Sequence, residues 1–305
     1  MKLSFRNPLL FGTLAALIGN GIFGFSFMFS RIALSVSSPF VMLAWRFTAA
    51  FVFISVLCFA SKRKNMSGWL RFQIPKRDFI PLLPLGLIQP VVYFLCESYG
   101  ISMTNATVSG IIIALIPIVA LALGFIIMKE TPSLSHIAFS LMSIAGVIVM
   151  TLQQSSGGDI RLLGIILLIG AVICGAAYNI LSRRLSGRFS ALERTYVMML
   201  VAAVSFIVLA VIENISSPKA LLSPIADIRF LSSIVYLSLF SSILAFLMLN
   251  YAATVLPVSK STAFCNITTV LSVFAGVIFL GESITPVSLI AAGIIILGVF
   301  GVQKT

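Results

Sequence analysis

Residues 8–31 read PLLFGTLAALIGNGIFGFSFMFSR, and residues 160–183 read IRLLGIILLIGAVICGAAYNILSR. A helix needs about 20 apolar residues to cross a hydrocarbon core about 30 Å thick, and each stretch is long enough. A shift of 152 positions lays one on the other, bringing Gly12 onto Gly164 and Ser30-Arg31 onto Ser182-Arg183. The same shift carries Tyr99 onto Tyr251, Ser109 onto Ser261, Gly124 onto Gly276, Glu130 onto Glu282 and Gly146 onto Gly298. The chain therefore reads as a duplication, with residues 1–152 as the first unit and 153–305 as the second.

Working outward, each unit holds five apolar runs. The predicted helices are 8–30, 38–60, 79–99, 104–128, 133–152, 161–182, 190–212, 230–252, 258–280 and 285–303. Turn chemistry separates them at Ser37-Ser38-Pro39, Thr131-Pro132, Ser156-Gly157-Gly158 and Thr285-Pro286, and Thr-Pro suits an N-cap followed by proline at the first helical position. An odd number of crossings turns the second unit upside down relative to the first. The expected fold class is thus an all-α integral membrane protein with ten transmembrane helices as two inverted five-helix repeats. Many transporters use this plan for alternating access, with the substrate near the midplane between the halves. Channels also contain inverted repeats.

Composition agrees. Of 305 residues, 60% are hydrophobic and 9% charged, against roughly 25% charged in ordinary soluble domains. Ten spans use about 200 residues, which leaves no room for a separate soluble catalytic domain. The formal charge of +12 does not indicate a nucleic-acid partner, because the basic residues sit in short gaps between apolar runs. With the N-terminus inside, 15 Lys and Arg fall on the inner side, and Arg31, Arg161, Lys219 and Arg229 fall outside. Both termini are therefore expected in the cytoplasm of a multi-pass protein of the bacterial plasma (inner) membrane. The basic loop from Ser61 to Asp78 is a topology signal or a contact for anionic membrane lipid. No cleavable signal-peptide pattern opens the sequence. Cys58, Cys96, Cys174 and Cys265 lie in apolar runs and read as small hydrophobes. No cofactor or metal is implied, and no P-loop is present for direct ATP drive. A homodimer is compatible with the sequence, which does not require one.

Specific motifs go further. Gly24-Phe25-Ser26 through Arg31, then Pro39 and Trp45-Arg46-Phe47, resembles the first two helices of the EamA family of the drug/metabolite transporter superfamily. Leu280-Gly281-Glu282, Thr285-Pro286 and Ala291-Ala292-Gly293 resemble that family's last two helices, whereas the first half departs from the pattern at Met128-Lys129-Glu130. The resemblance implies a carrier of small molecules, export being favoured, with a cavity lined by helices 1, 3, 4, 6, 8 and 9. Amino acids or related metabolites are the substrate class it suggests.

The candidate working residues are polar groups in apolar helices, where exposure to lipid is costly. Gln89, Tyr93 and Glu97 recur at i, i+4, i+8 on one helical face and are expected to line a cavity or meet another helix. Pro90 loosens the backbone beside them. Asn20 with Phe23 and Gly24, Tyr178 with Asn179, and Thr262 with Asn266 are further cavity candidates; for the last helix, bonding between helices competes equally. Arg46 and Glu97 lie at similar depth and within reach of pairing, as a gate or coupling site, a site for a substrate carboxylate, or a structural ion pair, with Arg46 snorkelling outward as the alternative. Glu130 and Glu282 are expected to complement the dipoles of the helices that follow them. Pro117 should kink the fourth helix. His136 lies near the cytoplasmic edge. The main competing class, a membrane protease, lacks the needed pattern: Gly24-Phe25-Ser26 is followed by Phe27, and Asp78, Asp159 and Asp227 all lie outside the spans.

Overall fold

In the computed structural model, the described residues are 8–64, 66–73, 79–128, 161–256, 264–282 and 285–304, with scattered positions between 134 and 149. They are helical and contain no strand. The helices are α1 (Pro8–Leu34), α2 (Pro39–Arg63), α3 (Ile80–Ser102), α4 (Ala106–Ile113 continued by Ile116–Met128), α5 (Leu162–Leu185), α6 (Ala191–Glu213), α7 (Ile228–Val255), α8 (Cys265–Leu280) and α9 (Pro286–Lys304). Six of them, α1, α2, α3, α5, α6 and α7, are long and apolar enough to cross a membrane. Stretches of α4, α8 and α9 are shorter apolar helices. Half of the predicted fifth span, 133–152, falls outside the described residues, as do Glu130 and His136; α5–α9 are the sixth to tenth apolar runs.

Local chemistry explains the boundaries. Ser38 caps α2 by accepting from the Val41 amide, with Pro39 at the first helical position. Ser190 and Glu193 form a reciprocal capping box at the start of α6. Pro117 has no N–H, so the ladder fails one turn earlier and α4 breaks at Ala114-Leu115. The single helical face expected for Gln89, Tyr93 and Glu97 is interrupted at Gln89, beside the Pro90 expected to loosen the backbone. Gln89 sits at φ −142°, ψ 119°, just before Pro90, within a wide turn at Leu87–Val92. Helix α7 has the repeat-related irregularity, a wide π-type stretch at Tyr236–Ala245.

The duplication is visible in contacts. Arg31 donates to the carbonyls of Ile101 and Ser102, and Arg183 donates to those of Ala253 and Thr254, each pair of partners displaced by the same 152 positions. A Cβ on Gly12 would strike Val255 and Leu256; one on Gly164 would strike Met103 and Thr104, again repeat-related. Only glycine permits these close helix approaches. Helices α2 and α6, themselves repeat partners, pack along their length, with Phe47 stacked on Phe206 at 5.4 Å. Apolar side chains such as Leu9, Phe59, Ile166 and Ile212 stay exposed on the outside of the bundle, which is unfavourable in water and favourable in lipid.

Candidate functional site

Polar side chains drawn from both halves meet in the middle of the bundle. Asn20, Phe23 and Phe27 of α1 face Gln89, Tyr93, Phe94 and Glu97 of α3. Ile113 and Ile116 of α4, Gly175, Tyr178 and Asn179 of α5, Leu249 of α7, and Cys265 and Thr268 of α8 complete the lining. These are the first, third, fourth, sixth, eighth and ninth apolar runs of the sequence. The enclosed volume is about 50 Å³, where one water needs roughly 10–15 Å³. This conformation is therefore closed down around a small space.

The polar groups are held in place by named bonds. Tyr93 donates its hydroxyl to Glu97 Oε1 at 3.0 Å, one turn along α3. Asn20 Nδ2 donates to the Ala16 carbonyl at 2.8 Å, and Asn179 Nδ2 to the Gly175 carbonyl at 2.9 Å. Thr268 donates to the Asn20 carbonyl at 2.8 Å, and Tyr178 donates to Asn250 Oδ1 at 3.1 Å. The buried Gln89 Oε1 has no partner. Phe246 is fully buried and forms edge contacts with Phe23, Phe94 and Tyr178. Six of the seven sequence candidates in α1, α3 and α5 (Asn20, Phe23, Gln89, Tyr93, Tyr178 and Asn179) lie on the cavity, as does Glu97, whereas Gly24 packs against Leu271 and Thr268 of α8. Thr262 and the side chain of Asn266 lie outside the described residues. Thr269 bonds between helices, donating to the Gly110 carbonyl at 3.0 Å.

Two expectations are corrected. Arg46 and Glu97 are both buried, but no direct bridge joins them. The Phe94 ring lies against the guanidinium, at 4.1 Å from the ring centroid. Arg46 instead donates Nε to Ser242 and Nη2 to Ser241, both at 2.9 Å, in the wide stretch of α7, and Nη1 has no partner. The second correction concerns Glu282. It does not cap the helix that follows it. Gly281 takes φ 65° at the end of α8 and turns the chain. The carboxylate then accepts from the amides of Ala106 and Thr107 at 2.9 and 2.8 Å, capping α4 of the other half.

Sequence reasoning passed over Arg194, which it counted as an inner surface charge. The side chain is fully buried. It donates to Ser182 O and Oγ, to Asn250 O and to Thr254 Oγ1, all at 2.6–2.8 Å, joining α5, α6 and α7. A capping Ser three residues before Glu193 was the only local signal that the arginine begins a helix. A separate polar cleft lies between Arg31, Ser35, Thr104, Asn105, Arg229 and Glu282. Near it, Asp227 caps α7 and is held down at about 2 by its hydrogen bonds from Arg229.

The profile of the EamA-like transporter family matches residues 10–152 and again 162–303. The chain belongs to that family. EamA relatives agree along its length: "Uncharacterized transporter YcxC" of Bacillus subtilis (strain 168) is 31% identical over 94% of this chain and 91% of its own. "Uncharacterized transporter" of Archaeoglobus fulgidus is 23% identical over 92% and 94%. "Probable terminal-alkyne amino-acid exporter" of Streptantibioticus cattleyicolor is 24% identical over 78% of each. A solved crystal structure, 17% identical and covering 95% of both chains, superposes with a TM-score of 0.65 and shares the fold. An EamA-type chain with these apolar helices is a multi-pass membrane transporter built on two repeats.

Proposed function

We propose that the protein is a secondary carrier that moves a small metabolite outward across the bacterial plasma (inner) membrane by alternating access. Ten transmembrane helices in two inverted five-helix repeats form the scaffold. Amino acids or related compounds are the substrate class, supported by the amino-acid exporter among the relatives. The carrying observation is the central cavity, where Asn20, Gln89, Tyr93, Glu97, Tyr178 and Asn179 place polar atoms from both halves around one space. A polar site at a repeat interface, closed to a small volume, is what rocking of one half against the other would open alternately to each side.

Counterflow in proteoliposomes tests the carrier. Saturable uptake that is faster into vesicles preloaded with the same solute is the expected result, scanned over amino acids, nucleosides and cationic drugs. Uptake that stays linear with concentration and ignores preloading would identify a channel. Topology is tested separately. An even span number and the basic inner loops place both ends in the cytoplasm, so a reporter fused after Thr305 should be active only as a cytoplasmic reporter. Periplasmic activity there would overturn the span number and the inverted repeat together.

A further inference from the structure

The balance of donors and acceptors around the cavity is lopsided. The hydroxyl protons of Tyr93, Tyr178 and Thr268 are all committed to protein acceptors. The amide nitrogens of Asn20 and Asn179 face backbone carbonyls. A carbonyl can only accept, so these bonds fix the amide orientations and turn the oxygens away from them. Among the described residues the acceptors left over are Gln89 Oε1, buried with 5% exposure and unpartnered, Asn179 Oδ1, and the second oxygen of Glu97, whose only hydrogen bond is the one Tyr93 makes to Oε1; against these three stands the Gln89 amide nitrogen, a donor that also has no bond there. No Lys, Arg or His lines the space among the described residues; Arg46 lies outside the lining, held by Ser241 and Ser242 with the Phe94 ring against its guanidinium.

We infer that the cavity holds the protonated amino group of its substrate, with Glu97 supplying the opposite charge and Gln89 and Asn179 the remaining acceptors. This rests on the carrier reading above and adds the chemical group that is recognised. An ammonium carries three N–H donors and a positive charge, which complements one carboxylate and neutral oxygens. A substrate carboxylate finds no matching cation on this lining. The surrounding rings, Phe23, Tyr93, Phe94 and Tyr178, favour a cation and an apolar side chain together.

The test is calorimetric titration of the full chain in nanodiscs with three matched probes: leucine, 3-methylbutylamine and 4-methylpentanoate. They share a side chain and differ in having both charges, the ammonium alone or the carboxylate alone. Leucine and the amine should bind competitively, and the acid should not bind at millimolar concentration. Glu97→Gln, which keeps the shape, should weaken the amine at least tenfold, and Gln89→Leu several-fold; Glu97→Asp should retain most of the binding and guards against a folding defect in the neutral variant. Measurements in a low-salt buffer held isotonic with sucrose, repeated with 100 mM sodium added as an independent variable, separate an ammonium site from a metal-cation site. Sodium that binds calorimetrically and displaces the amine overturns the inference, as does acid binding equal to amine binding, failure of the amine to bind, or a folded Glu97→Gln with unchanged affinity. Amine binding without counterflow would sink the carrier reading and leave this one standing. Counterflow of a solute with no amino group, unaffected by Glu97→Gln, would do the reverse.

Discussion

Arg194→Leu should destabilise the protein by about 3 kcal/mol, seen as a lower midpoint of thermal unfolding in detergent and a smaller monodisperse fraction. Four short bonds from one guanidinium tie the ends of α5 and α7 to the first turns of α6. Bonds between membrane helices average about 0.6 kcal/mol and reach about 1.7, and bonds to a charged donor lie at the upper end of their class. Removing the charge also removes its desolvation penalty, which opposes the loss. The bonds should win because Arg194 is saturated with acceptors and Leu cannot replace the bridge. Arg194→Lys keeps the charge and loses the fork, so it should recover less than half of the stability. Arg183→Leu, the surface-side control with two carbonyl acceptors, should change stability by under about 1 kcal/mol. Equal effects of Arg183→Leu and Arg194→Leu would show that the buried network adds nothing special.

That network also shows how the repeats have diverged. The positions related to Arg194, Ser182 and Asn250 are Met42, Ser30 and Ser98. There the arginine is missing, and the hydroxyls of Ser30 and Ser98 are buried without partners. One end of the bundle is thus laced by a saturated polar cluster, while its counterpart lacks the central arginine and has an open polar cleft beside Arg31 and Thr104.

Much of the fold was legible because its signals are local or periodic. Apolar runs, Ser-Pro and Thr-Pro starts, and a constant 152-residue offset depend on sequence position alone. The cavity candidates in α1, α3 and α5 were legible for the same reason, since a polar group in an apolar helix must face protein or water. What escaped depended on partners brought together from distant parts of the chain. Arg46 finds Ser241 and Ser242 nearly two hundred positions away, in a wide turn that no motif announces. Glu282 caps a helix of the other half because Gly281 turns it back. Arg194 counted as an inner-side charge because it stands in the first turns of the predicted helix 190–212, where burial is decided by the packing of α5 and α7 and not by its neighbours in sequence.

The Arg46→Gln and Glu97→Gln double-mutant cycle should give a coupling of about 1–2 kcal/mol, less than the roughly 3–5 kcal/mol lost on breaking a buried contact pair. The two groups do not touch, so what joins them is the field of one charge at the other. In a low-dielectric interior that field remains appreciable across a ring's thickness. Glu97→Gln leaves the Arg46 charge buried without its compensating carboxylate, and Arg46→Gln does the converse to Glu97; the double variant removes both problems and should be more stable than the singles predict. Glu97→Asp separates the mechanisms. A carboxylate drawn back by one methylene keeps a through-space interaction nearly intact, whereas a contact pair would be broken by it. Coupling between Arg46→Gln and Ser241→Ala should be of similar size, because there the bond is direct at 2.9 Å. A coupling near zero between residues 46 and 97, alongside a clear one between 46 and 241, would assign Arg46 to holding α2 against α7 and release Glu97 to act on the cavity alone.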